Sequence, residues 1–114
     1  MSTEPELSAV PPPTIHMAER ASGPSGAVLF GVAIEFPAAV DRRRHGEDIV
    51  VRGPNKNANR QLAEQIESAV GPADRQDPHK RAGPLVLPHY QQEQPPPEGH
   101  SFYETEKRKA RKRP

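Results

Sequence analysis

The sequence predicts a small α+β fold, in which an antiparallel strand pair and one main helix lie between a disordered N-terminal arm and an irregular, proline-rich C-terminal half. Two short runs, "AVLFGVAIEF" and "EDIVVR", favour strands because they are rich in Val, Ile and Phe. The stretch "NKNANRQLAEQIESAVG" repeats apolar residues at helical spacing. Hydrophobic residues make up only 32% of the 114, and fifteen residues are proline, so we expect the folded part to be small.

The N-terminal residues 1–25 are predicted to form a disordered, proline-rich arm. They contain a triple proline and small polar residues, and they show no sustained periodicity. The small α+β domain is expected to span residues 26–106, and a basic tail to span residues 107–114.

The two predicted strands span residues 27–36 and 47–52, and we expect them to pair as an antiparallel ribbon. Gly31 predicts a bulge or a close backbone contact within the first strand. Pro37 ends that strand, and the following "AAVDRRRHGED" is interpreted as a turn or short helical piece that ends at Gly46.

The predicted helix runs from Asn55 to Gly71. Asn55 or Asn57 can cap its start through a side-chain oxygen, and Gly71 predicts a left-handed stop before Pro72. One face is apolar and carries Ala58, Leu62, Ile66, Ala69 and Val70. Beyond the helix, "PLVLPHY" is compatible with a short edge strand and "HSFYE" with another.

Several classes of protein are excluded by composition. The chain has no cysteine, so it has no disulfide framework and no Cys-ligated zinc site. No signal peptide is visible, and the longest apolar run, residues 27–34, is far shorter than the ~20 residues that span a bilayer. We expect no membrane insertion, no cofactor, and a location in the cytoplasm or, after delivery, in the cytoplasm of a target cell.

Three of the five histidines follow the helix, and each lies beside a proline or a glycine: His79, His89 and His100. Imidazole, with a pKa near ~6.5, exchanges protons at neutral pH. Two such groups on opposite sides of a phosphodiester can cleave RNA, one as base and the other as acid. We predict His89 and His100 as this pair, with His79 as an auxiliary group. The candidates for stabilising transition-state charge are Lys80, Arg81, Lys107 and Arg108.

Two other interpretations of these histidines remain open. A histidine in a proline-rich segment is usually a solvated polar residue. Neutral imidazoles could also hold a divalent ion together with Asp74, Asp77 or Glu104, although the spacing matches no compact motif such as H-E-x-x-H. No metal is therefore predicted.

The end of the chain is strongly basic. Six of its last eight residues are Lys or Arg, while the first 106 residues carry ten basic and fifteen acidic residues, a net charge of −5. Such a tail attracts polyanions, and Phe102 and Tyr103 before it offer stacking surfaces for bases. The predicted substrate-binding residues, besides Lys80 and Arg81, are Tyr103, Lys107, Arg108, Lys109, Arg111 and Lys112. A solubilising or localisation tail is the alternative.

The stretch from about residue 46 to 112 resembles the C-terminal toxin domains of bacterial polymorphic toxin systems. The resemblance is carried by "GEDIVVRGPN", "NRQLAEQIESAVG", "DPHKRAGPLVLPHY" and "GHSFYETEKRKARK". It implies a nuclease that cleaves RNA or DNA in a competitor's cytoplasm and is neutralised by an immunity protein. It implies catalytic roles for His79, His89 and His100 alone.

The function predicted from the sequence is therefore a small toxin-like nuclease, most simply a ribonuclease, since the 2′-hydroxyl of RNA permits cleavage without a metal. The alternative is a non-enzymatic interaction protein that binds nucleic acid or a protein partner through its basic tail. A third hypothesis is that the chain is an inactive or poorly folded product of a short reading frame.

Overall fold

A computed structural model describes residues 11–79 and 81–114. Over these residues the chain forms seven strands and two helices. The strands are β1 (Thr14–Arg20), β2 (Val28–Ile34), β3 (Ile49–Arg52), β4 (Ala73–Gln76), β5 (His89–Gln92), β6 (Ser101–Tyr103) and β7 (Arg111–Lys112), and the helices are α1 (Phe36–Arg44) and α2 (Lys56–Ser68).

All seven strands belong to one mixed sheet with the order β4-β5-β6-β3-β1-β2-β7. The pairs β3–β6 and β2–β7 are parallel, and the others are antiparallel. The predicted fold of one strand pair and one main helix is therefore wrong. The predicted ribbon is wrong as well, because β1 lies between β2 and β3 and pairs with both.

The disordered arm was predicted wrongly over the residues of β1. Strand β1 is held by backbone hydrogen bonds on both sides, with Ile15 opposite Ile34 in β2 and opposite Val51 in β3. The triple proline ends where the strand begins, so it does not interrupt the pairing. Residues 1–10 of the predicted arm lie outside the described residues.

The bulge predicted at Gly31 is confirmed. His16 pairs with Ala33 and Ala18 pairs with Phe30, so β2 has one residue more than β1 between these two pairs.

The main helix is confirmed, with a different ending from the one predicted. Asn55 caps α2, since its side-chain oxygen accepts a hydrogen bond from the Ala58 amide at 2.9 Å. The helix ends through Ala69 in an ordinary right-handed conformation, so the left-handed stop at Gly71 was wrong. Gly71 instead allows close packing, because an added Cβ would clash with Gln92 Oε1.

The segment after Pro37, interpreted as a turn or short helical piece, is helical and forms most of α1. Pro37 falls in its first turn, where the missing N–H costs nothing, and Gly46 follows its end with φ of +81°. Three arginines occupy the last turn, where cations are favoured by the helix dipole.

The sheet has an apolar layer on each face. Both helices cover one face and enclose Ile15, Ile49, Val51, Ile66 and Tyr103, among others. On the opposite face a second cluster is closed by the chain segments after β4 and after β6, and it contains Ala18, Val28, Val50, Leu87, Phe102 and Ala110.

The C-terminal half was predicted to be irregular, and this was wrong, because it supplies four of the seven strands. Its prolines lie outside strands β4 to β7, so none of them interrupts a strand. Only the last two residues of "PLVLPHY" belong to a strand, β5, which lies inside the sheet next to β4 and not at its edge as predicted. "HSFYE" contains β6.

Candidate active site

Two of the predicted catalytic histidines are in direct contact. The rings of His89 and His100 meet edge to face, with their centroids 4.5 Å apart. His89 opens β5 and pairs across the sheet with Phe102 in β6, while His100 immediately precedes β6. The antiparallel pairing of two short strands thus brings together residues that are eleven positions apart. Phe102 packs against both rings.

Asp48 orients the His100 ring, and the sequence analysis missed it. Its carboxylate oxygen Oδ1 accepts from the His100 backbone amide at 2.8 Å and lies 3.3 Å from the ring nitrogen Nδ1. The contact arises because β3 and β6 run parallel, with Ile49 opposite Ser101. With Nδ1 facing Asp48, Nε2 is the His100 nitrogen left for a substrate.

His89 is in a less polar environment. Its Nδ1 is buried and has no hydrogen-bond partner among the described residues. Its Nε2 lies 3.0 Å from the side-chain oxygen Oε1 of Gln91, an acceptor, so Nε2 is the donor in this contact. Burial lowers the pKa of His89 below the ordinary 6.5, and charge on His100 and on Arg20 lowers it further. His89 therefore favours the neutral form.

The pair opens into a cleft of about 450 Å³, which we call the histidine cleft. His79 lies on its wall, so all three predicted histidines line one cavity. Arg20, at the end of β1, lines it too and was not predicted. The cleft is bordered further by Gln76, Asp77, Pro78, Leu87, Gln91 and Phe102.

The buried Arg43 fixes the two chain segments that bear Asp48 and His100. Its Nη1 donates to the backbone carbonyls of Glu47 at 3.1 Å and Glu98 at 2.9 Å. These carbonyls lie one residue before Asp48 and two residues before His100. One guanidinium therefore sets the distance between the carboxylate and the imidazole.

Arg43 is in turn held by Glu67 of α2. Glu67 also accepts hydrogen bonds from Ser101 Oγ at 2.8 Å and from Gln92 Nε2 at 2.6 Å. All four side chains are buried. This network connects α1 and α2 to β5, which begins with His89, and to β6, which follows His100.

The predicted substrate-binding residues are dispersed. Lys80 lies outside the described residues. Arg81 is exposed, and its backbone amide donates to His79 Nδ1 at 3.2 Å. The Arg108 guanidinium donates to the carbonyls of Gly83 and Val86. These bonds hold the loop that covers the second apolar cluster of the sheet.

Four other members of that predicted set differ in position. Lys107 lines a second cleft, described below, and Lys109 lines a shallow recess beside Arg52 and Glu104. Arg111 and Lys112 form β7 at the sheet edge opposite β4. The structure therefore does not gather the basic tail around the histidines.

Tyr103, also predicted to bind substrate, is 2% exposed and packs in the core against Tyr90. It cannot stack openly with a base. Burial raises its pKa to about 12.

Over residues 11–79 and 81–114 no group of three His, Asp or Glu side chains is arranged to hold a metal ion. Glu104, named above as a possible ligand, is engaged by Arg52 at 3.0 Å and by the Ala110 amide at 2.8 Å. Within the same residues no helix is long and apolar enough to cross a membrane.

Comparisons with protein families, with curated proteins and with solved structures gave no match.

Proposed function

We propose that the protein is a ribonuclease that cleaves RNA by paired-histidine acid/base catalysis in the histidine cleft. The observation that carries this is the contact of His89 with His100 at 4.5 Å, beside Asp48 and within an open cleft.

His89 is suited to be the general base. A base must be neutral at working pH, and the lowered pKa of His89 keeps its ring neutral near pH 7. In the proposed step the contact with Gln91 opens and His89 takes the tautomer with its proton on Nδ1, so that the unprotonated Nε2 takes the proton of the 2′-hydroxyl. The 2′-oxygen then forms a bond to phosphorus.

His100 is suited to be the general acid. Its Nδ1 faces the Asp48 carboxylate, which complements a positive imidazolium. As the bond from phosphorus to the 5′-oxygen breaks, Nε2 of His100 gives its proton to that oxygen. The products are a 2′,3′-cyclic phosphate and a 5′-hydroxyl, and proton exchange with water restores both rings.

Arg20 supplies positive charge to the same cleft. A guanidinium near the phosphorane-like transition state stabilises its added negative charge. From the sequence this role was assigned to Lys80, Arg81, Lys107 and Arg108. Arg20 is an additional candidate because it lines the cleft together with both histidines.

The resemblance to polymorphic toxin domains supports the same activity, and in that setting the partner would be an immunity protein. The alternative, a non-enzymatic protein that binds through its basic tail, has less support because Arg108 is engaged by backbone carbonyls and Arg111 lies in β7.

The test is cleavage of a mixed RNA pool and of a plasmid, with and without EDTA, by the wild type, His89→Gln and His100→Gln. His45→Gln is the matched control, because His45 is exposed at the end of α1. We expect RNA loss that resists EDTA, survives in the control, and falls about 10²- to 10⁴-fold in each cleft variant. Absence of cleavage by folded wild type would refute the proposal and favour the binding protein, and loss of cleavage in EDTA would make the histidines metal ligands.

A further inference from the structure

A second cleft, of about 500 Å³, adjoins the histidine cleft, and we call it the basic cleft. The two clefts share Asp77 and Pro78 in their walls. Five cationic side chains line the basic cleft, namely Lys56, Arg60, Arg75, Lys107 and Arg108, against two carboxylates, Asp77 and Glu106.

Not all of these cations are engaged within the protein. Arg75 lies 3.5 Å from Asp77, Arg60 lies 3.7 Å from Glu64, and Arg108 holds the loop described above. Lys56 and Lys107 are exposed and form no ion pair among the described residues. The cleft therefore presents uncompensated positive charge.

The start of α2 adds to that charge. Lys56 and Asn57 form its first turn and line the cleft. Their backbone N–H groups precede the first intrahelical bonds, and the helix dipole is positive at this end. A lysine at this position is unfavourable for the helix itself, whereas it is favourable for a bound anion.

A third, independent observation points to a ligand. Tyr103 lines the same cleft although its side chain is 98% buried, and among the described residues no hydrogen bond reaches its hydroxyl. Since burial raises the pKa of Tyr103 to about 12, the hydroxyl keeps its proton and is available as a donor. The ring is buried but the hydroxyl reaches the cleft wall, so an oxygen of a bound ligand can accept its hydrogen bond.

We propose that the basic cleft binds the phosphate of a nucleotide that flanks the cleavage site of single-stranded RNA, with Lys56, Lys107 and the Tyr103 hydroxyl as its contacts. This inference rests on the proposed function for the identity of the ligand. A recess of this volume accommodates a drug-sized group such as one nucleotide of a single strand. Because the two clefts share a wall at Asp77 and Pro78, one RNA strand can extend from one cleft into the other.

The test measures binding without cleavage. The probe is a fluorescein-labelled 2′-O-methyl oligouridylate, in which the attacking hydroxyl is blocked, and the readout is fluorescence anisotropy over a range of salt concentrations. The variants are Lys56→Ala, Lys107→Ala and Tyr103→Phe. The matched controls are Lys109→Ala and Arg111→Ala, which remove the same charge from exposed positions outside the basic cleft.

We expect each cleft lysine variant to weaken binding by roughly 3- to 10-fold at low salt and to reduce the salt slope by about 0.7, while the controls change neither. Tyr103→Phe is expected to weaken binding without changing the slope. Equal losses in the controls, or equal affinity for a duplex of the same length, would overturn the inference.

The outcome is separable from that of the proposed function. Cleavage of a uridine-containing dinucleotide, which reaches only the histidine cleft, is expected to persist in the lysine variants. Cleft-dependent binding in a protein that cleaves nothing would refute the ribonuclease and leave the binding site standing. Cleavage with binding that is insensitive to the lysines would do the reverse.

Discussion

The guanidinium of Arg43 holds the carboxylate of Glu67 through two hydrogen bonds, of 2.8 and 3.0 Å, and both side chains are fully buried. A buried ion pair of this kind stabilises only while both partners are present, since either one alone is a desolvated charge. Here the pair also fixes the segments that carry Asp48 and His100, so the candidate active site depends on it.

Replacing Glu67 with glutamine is expected to lower the free energy of unfolding by about 3–5 kcal/mol, because it leaves the Arg43 charge buried without a counterion. Urea denaturation followed by circular dichroism measures the change. The control is Glu64→Gln, which breaks the half-exposed pair with Arg60 and is expected to change stability little, because an exposed ion pair is screened by solvent. Equal losses in the two variants would contradict the role given to Arg43 and Glu67.

Gly99→Ala is expected to destabilise the fold more than Gly23→Ala does. Both glycines have φ near +90°, so both substitutions carry a similar backbone strain of about 1–2 kcal/mol. An added Cβ at Gly99 would also lie 2.7 Å from Arg43 Nη1 and 2.8 Å from the Gly46 carbonyl oxygen, whereas nothing lies within 4 Å at Gly23.

Urea denaturation of the two glycine variants, together with their cleavage rates, tests this comparison. We expect Gly99→Ala to reduce the rate as well, since Gly99 immediately precedes His100. Similar losses of stability would show that Arg43 and the backbone at Gly46 yield to the added carbon.

Stability is expected to fall on acidification because of His89. The folded-state pKa of His89 is lowered, so below the unfolded value near 6.5 the unfolded chain binds more protons. The protein therefore has its full stability with respect to His89 above about pH 6.5. It loses free energy of unfolding as the pH falls from there toward the lower folded-state pKa of His89.

The check is urea denaturation at several pH values for the wild type, His89→Gln and the control His45→Gln. We expect His89→Gln to flatten the acid limb of the stability curve and His45→Gln to leave it in place. An unchanged limb in His89→Gln would refute the lowered pKa.

Local signals predicted part of this fold. The cap at Asn55 and the apolar spacing of Leu62 and Ile66 are properties of one segment, so α2 was predictable. Strand β1 was not, because it has few large apolar residues and its buried Ala18 gives no β signal. Its pairing with β2 and β3 depends on residues far along the chain, as does that of the short strands β4 to β7.

The sequence likewise pointed to some residues of the candidate site and not to others. The setting of His89 and His100 beside a proline and a glycine drew attention to both residues. Asp48 and Arg20 give no comparable signal, because their approach to the histidines depends on the parallel pairing of β3 with β6 and on the position of β1. The basic residues of the tail are alike in sequence, so the sequence could not show that Lys107 lines the basic cleft whereas Arg111 lies in β7.

The central claim, that His89 and His100 cleave RNA through its 2′-hydroxyl, is tested most directly by the ends of the products. A defined single-stranded RNA and the same strand with one 2′-deoxynucleotide at the cleavage position are incubated with wild-type protein in EDTA, and the fragments are weighed by mass spectrometry. The account predicts a 2′,3′-cyclic phosphate and a 5′-hydroxyl from the RNA and no cleavage at the deoxynucleotide. Cleavage of both strands alike, or fragments with 5′-phosphate ends, would contradict it.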